Sequence, residues 1–435
     1  MGSPGSKKPN EPKEPREPKA TYTGEGMISI SKLYCGAPSE SDALRYGEAS
    51  GTSAPRSAAE RRPVVVWNVT RTCNLRCLHC YSDSEAKVYE GELSTEEAKA
   101  LLQDLAQFQV PAVLFSGGEP LLRRDLFELV AYAKALGLRP TLSTNGVLID
   151  EGTARRIKEA GFTYVGISLD GIGEINDRFR GMKGAFERAL RGFRACKAVG
   201  QRVGLRMTLT RHNYENLEAI FDLIEEEGID RACFYHLVPS GRGRRIASED
   251  LSHEETRHAL DMILERAEGF HRRGRRIEIL TVDNPVDGIY LYLKLREKDP
   301  KRAEGVFKLL RWNGGGLFSS GVGIADVDFT GGVHPDQFWM HYTLGNVKER
   351  PFSEIWQDVS DPLMAGLRNR RPKLKGRCSK CKWLDLCGGS LRVRADLVWG
   401  DPWAPDPACY LSDEEIGLTE KDREELKAKG EDFPL

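Results

Sequence analysis

Three features are absent from this sequence: a long apolar run, an excess of one charge, and an apolar segment near its start. No stretch approaches the roughly 18 apolar residues that a membrane-spanning helix requires, so we expect no membrane partner. The 64 Lys and Arg residues nearly balance the 65 Asp and Glu residues, for a formal net charge of −1. No overall field therefore favours nucleic acid or an anionic membrane, and an anionic ligand must meet a local basic cluster.

The first 26 residues are polar and rich in Pro, Lys and Glu. They contain no apolar segment that could act as a secretory signal, so we expect a cytoplasmic protein. Such a composition also buries too little apolar surface to offset the loss of chain entropy. We therefore expect residues 1–26 to form a disordered extension.

Cysteine is unevenly distributed along the chain. Ten cysteines in a cytoplasmic protein indicate metal sites or buried thiols rather than disulfides. Three lie near the start of the folded region, four near its end, and three are isolated: Cys73, Cys77 and Cys80; Cys378, Cys381, Cys387 and Cys409; Cys35, Cys196 and Cys233. We expect the isolated thiols to be inert, because buried cysteines behave as small hydrophobic residues.

Short apolar runs alternate with longer amphipathic segments from residue 63 to about residue 280. The runs are predicted strands at 64–69, 112–116, 139–143, 164–169, 203–209 and 232–237. Helix starts are predicted at two capping boxes and two single caps: Ser94 with Glu97, Ser252 with Glu255, Asp150, and Asn213. This rhythm predicts an α/β fold, a partial TIM-like (β/α)6 barrel with its chemistry on loops at the C-terminal strand ends.

The first cysteine group follows the first predicted strand with C-x3-C-x2-C spacing. Thiolates are the usual ligands of iron–sulfur clusters, and three of them leave one iron of a 4Fe–4S cluster without a protein ligand. An open coordination position is how a substrate reaches a metal site. The spacing alone also allows a structural zinc site, with His79 or a distant cysteine as the fourth ligand.

Three short motifs follow the next predicted strands in order: Gly117-Gly118-Glu119-Pro120, Ser143-Thr144-Asn145-Gly146 and Ser168-Leu169-Asp170-Gly171. Each motif alone could be an ordinary turn or strand end. Together with the cysteines, in this order, they resemble the radical S-adenosylmethionine (SAM) superfamily. His79 then holds the aromatic position just before the last cysteine.

The resemblance implies a SAM site at these strand ends. The glycines of the first motif would let the backbone approach the methionine group, and Glu119 or nearby carbonyls would accept hydrogen bonds from its ammonium. The other two motifs match positions that contact the ribose or the carboxylate, with which Arg206 could form a bidentate pair. The implied cofactor-binding residues are His79, Gly117, Gly118, Glu119, Pro120, Ser143, Asn145, Ser168, Asp170 and Arg206.

The second cysteine group has C-x2-C-x5-C-x21-C spacing, and its four thiolates could close a 4Fe–4S cluster. Zinc is the alternative, because short C-x2-C pairs also make zinc sites. The arrangement resembles the SPASM-type auxiliary domain of many radical SAM enzymes. His334, Asp336 and Leu391 stand where related domains often place further cysteines. We therefore expect one auxiliary cluster, and two 4Fe–4S clusters in all.

Longer stretches narrow the resemblance to the radical SAM enzymes of alternative haem and haem d1 biosynthesis. They are ISKLYCG, SDALRYG, RFRGMKGAFERAL, FYHLVPSGRG, LTVDNPVDGIYLYLKL, RWNGGGLFSSGVGI, GVHPDQFW, LGNVKERPFSEIW and CGGSLRVRADLVWGDPWAPDPACYL. The resemblance spans 27 to about 417 and is closest to the 12,18-didecarboxysiroheme deacetylases. It implies removal of two acetate side chains from an iron-tetrapyrrole to give Fe-coproporphyrin III. The haem d1 and Fe-coproporphyrin decarboxylase groups are alternatives.

Candidate substrate contacts also lie near predicted strand ends. Five arginines could pair with substrate carboxylates: Arg178, Arg180, Arg242, Arg244 and Arg245. His236 and His334 are candidate catalytic residues that could ligate the substrate iron. Trp312, Phe338 and Trp339 could stack on the macrocycle. Each of these side chains could instead belong to the surface or the core.

The resemblance also implies a mechanism and a redox partner. One electron from the reduced first cluster would cleave SAM, and the resulting radical would abstract hydrogen from an acetate side chain, which is then lost. The auxiliary cluster would exchange electrons with the substrate, and a ferredoxin or flavodoxin would supply them. A peptide-modifying enzyme with a similar C-terminal domain and a non-catalytic iron–sulfur or zinc scaffold are the remaining alternatives.

These observations predict six segments along the chain. After the extension, residues 27–62 would pack on the core and 63–285 would form the partial barrel. Residues 286–344 would connect it, near the substrate, to an auxiliary cluster domain at 345–412. Residues 413–435 would form a C-terminal tail.

Overall fold

The structure is a computed structural model that describes residues 26–46 and 61–434. The predicted disordered extension lies outside these residues except for its last position. Residues 47–60 of the predicted N-terminal segment also lie outside them.

A single mixed sheet organises the described residues. Its strands are β1 Met27–Ser29, β2 Val64–Thr70, β3 Val113–Gly117, β4 Pro140–Thr144, β5 Tyr164–Ser168, β6 Val203–Leu209, β7 Arg231–His236, β8 Glu278–Val282, β9 Ile324–Val327, β10 Gly332–His334 and β11 Gly345–Asn346. Their order across the sheet is β1-β8-β7-β6-β5-β4-β3-β2-β9-β10-β11. From β8 to β9 all neighbours pair in parallel, and the outer strands pair antiparallel.

The predicted α/β fold with a partial barrel is confirmed. The six predicted strands correspond to β2 through β7, and β8 and β9 extend the parallel part at its two ends. Strand β9 has no continuous apolar run because Asp326 interrupts it. The buried Asp326 carboxylate instead accepts a hydrogen bond from Asn68 on β2, with an N···O distance of 2.9 Å.

Helices occupy most of the remaining described chain. They are α1 Ile30–Leu33, α2 Asp42–Tyr46, α3 Thr95–Gln107, α4 Leu126–Ala135, α5 Glu151–Ala160, α6 Glu174–Arg180, α7 Ala185–Ala198, α8 Leu217–Glu226, α9 His253–Arg272, α10 Val286–Lys298, α11 Pro300–Asn313, α12 Phe352–Gln357, α13 Pro362–Arg368, α14 Gly376–Lys380, α15 Leu384–Cys387, α16 Arg392–Trp399, α17 Asp413–Ile416 and α18 Glu420–Ala428. No helix in the described part of the chain is both long enough and apolar enough to cross a membrane.

Three of the four predicted helix caps are confirmed. Both capping boxes form at the starts of α3 and α9, and Asp150 caps α5 by accepting a hydrogen bond from the Thr153 amide at 2.7 Å. The prediction for Asn213 is wrong. Its side chain caps no helix but accepts from the Thr210 amide and donates to the Asp170 carbonyl at 3.1 Å. Asn213 therefore joins the end of β6 to the loop after β5.

Residues 286–344 are more regular than the sequence suggests. They contain α10, α11, a 3-10 turn at Gly315–Phe318, β9 and β10. Two glycines of the turn are required by close packing. A Cβ on Gly315 would lie 2.3 Å from the Leu386 carbonyl oxygen, and one on Gly316 would lie 2.5 Å from that of Ser390. The glycine-rich stretch therefore packs against the second cysteine segment.

The N-terminal segment closes the bottom of the barrel, opposite the C-terminal strand ends. Arg45 on α2 donates to the Glu278 carboxylate on β8 at 2.9 Å, and the Ser39 hydroxyl donates to the same oxygen at 2.7 Å. Although burial acts to raise the pKa of Glu278, Arg231 and Arg45 bring it down to about 2. The barrel floor at this end is therefore charged.

Candidate active site

The first cysteine group lies in the loop after β2. Cys73 and Cys77 are buried and Cys80 is half-buried, and they pack together around Leu75. Each sulfur receives an N–H donor. The Leu75 amide reaches Cys73 Sγ at 3.4 Å, the Ser84 amide reaches Cys80 Sγ at 3.5 Å, and Arg180 reaches Cys77 Sγ at 3.7 Å. These donors suit sulfurs that carry negative charge, as cluster thiolates do.

The donor set fits an iron–sulfur cluster. Burial raises the pKa of Cys73 to about 12, so a metal centre is needed to hold this thiol deprotonated. Within residues 26–46 and 61–434, no three His, Cys, Asp or Glu side chains are arranged to hold a single metal ion. In a 4Fe–4S cluster each thiolate binds a different iron, so the three sulfurs do not have to converge on one point.

Gly117 and Gly118 bring the end of β3 against the cysteine loop. A Cβ on Gly117 would lie 2.3 Å from the Thr70 carbonyl oxygen, and one on Gly118 would lie 2.2 Å from that of Thr72. The Gly118 amide donates to the Thr70 carbonyl at 2.7 Å. At these glycines the backbone of β3 therefore lies directly against the backbone at Thr70 and Thr72. This contact fixes the start of the cysteine loop.

Glu119 links the ends of β3 and β4. Its buried carboxylate accepts from the Thr144 hydroxyl at 2.8 Å and from the Asn145 amide at 2.9 Å. The Asn145 side chain in turn donates to Asn74, between Cys73 and Cys77, at 2.8 Å. Burial raises the pKa of Glu119 to about 7, and Pro120 begins the turn that follows. Glu119 and Asn145 thus position the cysteine loop.

Asp170 and Arg180 form a buried ion pair beside the first cysteine group. Asp170 also accepts from the Thr208 amide on β6 at 2.7 Å, and Arg180 contacts Cys77 as described above. The pair therefore connects two strand ends to the cysteine loop. Within it, the charges of Asp170 and Arg180 balance each other.

A cavity of about 320 Å³ opens inside the barrel beside the cysteine loop. Arg206 crosses it from β6 and donates to the Ser143 hydroxyl at 2.6 Å, while its Nε has no hydrogen-bond partner among the described residues. The ring of His79 stacks on Phe179 at 4.7 Å, and burial lowers the pKa of His79 to about 4. Other lining residues are Tyr81, Ser168, Arg180, His236, Asp283 and Phe338. The volume and the polar groups suit a small organic ligand.

The five arginines predicted to bind substrate do not gather around this cavity. Only Arg180 lines it, and its charge is matched by Asp170. Arg242 donates to the Cys77 carbonyl at 2.9 Å and to Asp83 at 2.9 Å, so it supports the cysteine loop. The other three are exposed and lie outside the cavity lining: Arg178, Arg244 and Arg245.

The two candidate histidines have different surroundings. Both nitrogens of His334 are bonded, to the Tyr342 carbonyl at 2.8 Å and to Asp328 at 3.3 Å, and the side chain is 1% exposed. In this arrangement His334 has no nitrogen left for iron. His236 lines the cavity, with its Nε2 bonded to Asp287 at 2.8 Å.

Of the three aromatic side chains proposed to stack on the macrocycle, Phe338 alone lines the cavity. Trp339 is buried in a separate apolar cluster and Trp312 lies on α11. Sequence reasoning missed Tyr81 and Asp283. Tyr81 follows the last cysteine of the first group, and Asp283 follows a strand end in a left-handed conformation, with φ of 66°. Burial raises the pKa of Asp283 to about 7.

The four thiols of the second group line one apolar cavity: Cys378, Cys381, Cys387 and Cys409. Burial raises the pKa of Cys381 to about 11 and that of Cys409 to about 12. At two positions where related domains often carry cysteine, this chain has residues that make structural contacts. Asp336 is buried and bonded to Ser320 and to the Phe338 amide, and Leu391 packs in an apolar cluster.

Family models and similar proteins agree with these features. Residues 67–224 match the radical SAM superfamily model, and residues 321–382 match the model of an iron–sulfur cluster-binding domain, SPASM. The chain is 57% identical over 400 residues to the Fe-coproporphyrin III synthase of Methanosarcina barkeri, covering 91% of this chain and 100% of that protein. It is 46% identical over 366 residues to the pre-heme d1 synthase of Dinoroseobacter shibae, covering 83% and 90%.

The fold also has solved counterparts. The structure of Streptococcus suis SuiB bound to the precursor peptide SuiA aligns with a TM-score of 0.64 at 18% identity, covering 81% of this chain and 76% of that one. The predicted cofactors, SAM with its 4Fe–4S cluster and an iron–sulfur cluster in the C-terminal part, are confirmed by both family models. The chain is therefore a radical SAM enzyme with a SPASM domain, and it belongs to the family that contains Fe-coproporphyrin III synthase and pre-heme d1 synthase.

Proposed function

We propose that this enzyme removes two acetate side chains from 12,18-didecarboxysiroheme to give Fe-coproporphyrin III. The observation that carries the proposal is the 57% identity to Fe-coproporphyrin III synthase over the whole length of that protein. The aligned region is long enough to include both cysteine groups and the strand ends around the cavity. The identity to pre-heme d1 synthase is lower, at 46%, which makes haem d1 biosynthesis the second candidate.

The residues of the first site would hold the cluster and SAM. Cys73, Cys77 and Cys80 would ligate three irons, and Arg206 with Ser143 would bind the SAM carboxylate from inside the barrel. When bound, these groups supply hydrogen-atom abstraction from the substrate by one-electron cleavage of SAM. Glu119 would hold the end of β4 in place through its bonds to Thr144 and Asn145, and Asn145 would pass that support to the cysteine loop through Asn74.

The second group would hold one auxiliary 4Fe–4S cluster through Cys378, Cys381, Cys387 and Cys409. All four thiols line the same cavity, and the Trp383 amide reaches Cys381 Sγ at 3.4 Å, a contact that suits a thiolate ligand. A low-potential protein donor of the ferredoxin or flavodoxin class would supply electrons.

Tetrapyrrole-dependent cleavage of SAM tests this function. The reconstituted, reduced enzyme is expected to form 5′-deoxyadenosine much faster with 12,18-didecarboxysiroheme than without it. Cys77→Ala should abolish the product under both conditions, which controls for adventitious chemistry. The proposal fails if the tetrapyrrole neither changes the rate nor is consumed.

A further inference from the structure

A hydrogen-bonded chain of three side chains joins the second cysteine group to the cavity. Tyr410, the neighbour of Cys409, donates its hydroxyl to Asp287 Oδ1 at 2.8 Å. The other oxygen of Asp287 bonds Nε2 of His236 at 2.8 Å. Asp287 is 0% exposed and Tyr410 is 2% exposed, so water cannot compete for these bonds. His236, at the end of β7, is thereby held in one orientation against the cavity.

Asp287 also sets the charge of His236. Although burial acts to lower the pKa of His236, the Asp287 carboxylate outweighs this and raises it above its ordinary value. Because Nε2 donates to Asp287, the proton that completes the imidazolium is on Nδ1. Among the described residues, Nδ1 has no hydrogen-bond partner. When protonated, His236 therefore offers a cationic N–H donor to a ligand in the cavity.

Three further charged or titratable groups face His236 from neighbouring elements. Asp283 follows β8, Asp250 precedes α9, and Arg394 lies on α16. Burial raises the pKa of both carboxyls, that of Asp283 to about 7. Arg394 is paired with Asp406. In slightly acidic solution, with His236 protonated and Asp283 neutral, this wall of the cavity is therefore suited to an anion.

We infer that His236 binds a carboxylate of the iron-tetrapyrrole substrate through Nδ1–H, and that Asp287 and Tyr410 are positioning residues for this contact. The inference rests on the proposed function. It replaces two sequence predictions, iron ligation by His236 and carboxylate binding by the five arginines.

Geometry favours the carboxylate over the iron. Nδ1 is next to the ring carbon that carries Cβ, so the backbone of His236 crowds a flat macrocycle centred on Nδ1. A carboxylate at the edge of the macrocycle can approach the same nitrogen in the plane of the ring. Of the five arginines predicted to bind substrate carboxylates, only Arg180 lines the cavity, and Asp170 balances its charge. His236 therefore takes the carboxylate-binding role that the sequence analysis gave to those arginines.

The experiment is an anaerobic titration of the cluster-loaded enzyme, followed by the visible spectrum of the bound macrocycle. The probes are 12,18-didecarboxysiroheme and its metal-free form, measured between pH 6 and pH 8. We compare the wild type with His236→Ala, Asp287→Asn and Tyr410→Phe. His341→Gln is the matched control, because His341 also bonds an aspartate, Asp396, at 2.8 Å but lies outside the cavity lining.

His236→Ala is expected to weaken binding of both macrocycles by about tenfold or more, since it removes a hydrogen bond to a charged group. Wild-type binding should weaken as pH rises, because His236 loses its proton while Asp283 gains charge. Asp287→Asn should move that decline to lower pH, since it removes the charge that raises the pKa of His236. Tyr410→Phe should weaken binding less than His236→Ala, and His341→Gln should not weaken it.

Two results would overturn the inference. A loss confined to the iron form would make His236 an iron ligand, and unchanged affinity in His236→Ala would remove it from the substrate site. SAM cleavage by each variant without tetrapyrrole reports that the first site is intact. If the wild type binds neither macrocycle at any pH, the proposed function itself has failed, which is distinguishable from both results.

Discussion

Arg394 and Asp406 form an ion pair at 2.9 Å, and both side chains are buried. Arg394 also donates to the carbonyls of Leu237 and Asp283, at the ends of β7 and β8, at 3.1 and 2.8 Å. Asp406 lines the cavity of the second cysteine group. The pair therefore ties the two cysteine-containing parts of the enzyme together at the wall of the substrate cavity.

Replacing Arg394 by Met should destabilise the enzyme by about 3–5 kcal/mol, because it leaves a buried charge without its partner. Urea unfolding of the cluster-loaded protein measures this change. Arg194→Met is the control, since Arg194 pairs with Glu227 at 2.6 Å on the surface and should cost less than about 1 kcal/mol. Similar small losses in both variants would contradict the structural role of the buried pair.

Gly118→Ala should prevent stable assembly of the first cluster. The new Cβ would lie 2.2 Å from the Thr72 carbonyl oxygen, so the start of the cysteine loop has to move. Iron content and SAM cleavage after reconstitution measure the effect, and both should fall strongly. Gly305→Ala is the control because a Cβ there meets nothing within 4 Å in α11. Full iron content in Gly118→Ala would show that the loop does not depend on this contact.

The two cysteine groups should load independently. Cys77→Ala should lose about four irons per chain and all SAM cleavage, because a 4Fe–4S cluster cannot form on two of its thiols. Cys378→Ala should lose about four irons but keep SAM cleavage without substrate. Cys196→Ala, on the buried face of α7, should keep every iron. Loss of both clusters from either single variant would argue against two separate sites.

Glu278 at the barrel floor should make stability depend on pH. Its pKa of about 2 lies below the ordinary value of 4.5 for a glutamate, so its contribution to stability is present above pH 4.5 and is lost as pH falls towards 2. Glu278→Gln should lower stability at pH 7 by about 3 kcal/mol, from the size of that shift. Chemical unfolding of wild type and variant should give a constant difference from pH 8 to pH 5 and a smaller one at pH 4. A difference that does not change would contradict the assignment.

The sequence was informative where one physical cause controls the pattern. Strands β2 through β7 are buried in a parallel sheet, so their apolar runs stand out, and capping boxes depend only on residues three apart. Strand β9 was missed because Asp326 is stabilised by Asn68, which is 258 positions away. Such long-range pairing leaves no local signal.

Predictions for single charged side chains were the least reliable. Arg242 lies near a strand end, as predicted, but it lies outside the cavity lining and bonds the Cys77 carbonyl and Asp83. His334 is likewise bonded at both nitrogens. Residue type and position cannot distinguish a side chain that binds a ligand from one that supports the loop beside it, because both need the same functional group.

Anaerobic conversion of 12,18-didecarboxysiroheme shows directly whether this enzyme removes acetate groups. The reduced, cluster-loaded enzyme is given 12,18-didecarboxysiroheme and SAM, and the mass of the tetrapyrrole is followed with time. We expect loss of one and then two acetate groups, ending at the mass of Fe-coproporphyrin III. Formation of an oxo group, decarboxylation of propionates, or an unchanged macrocycle despite SAM cleavage would contradict it.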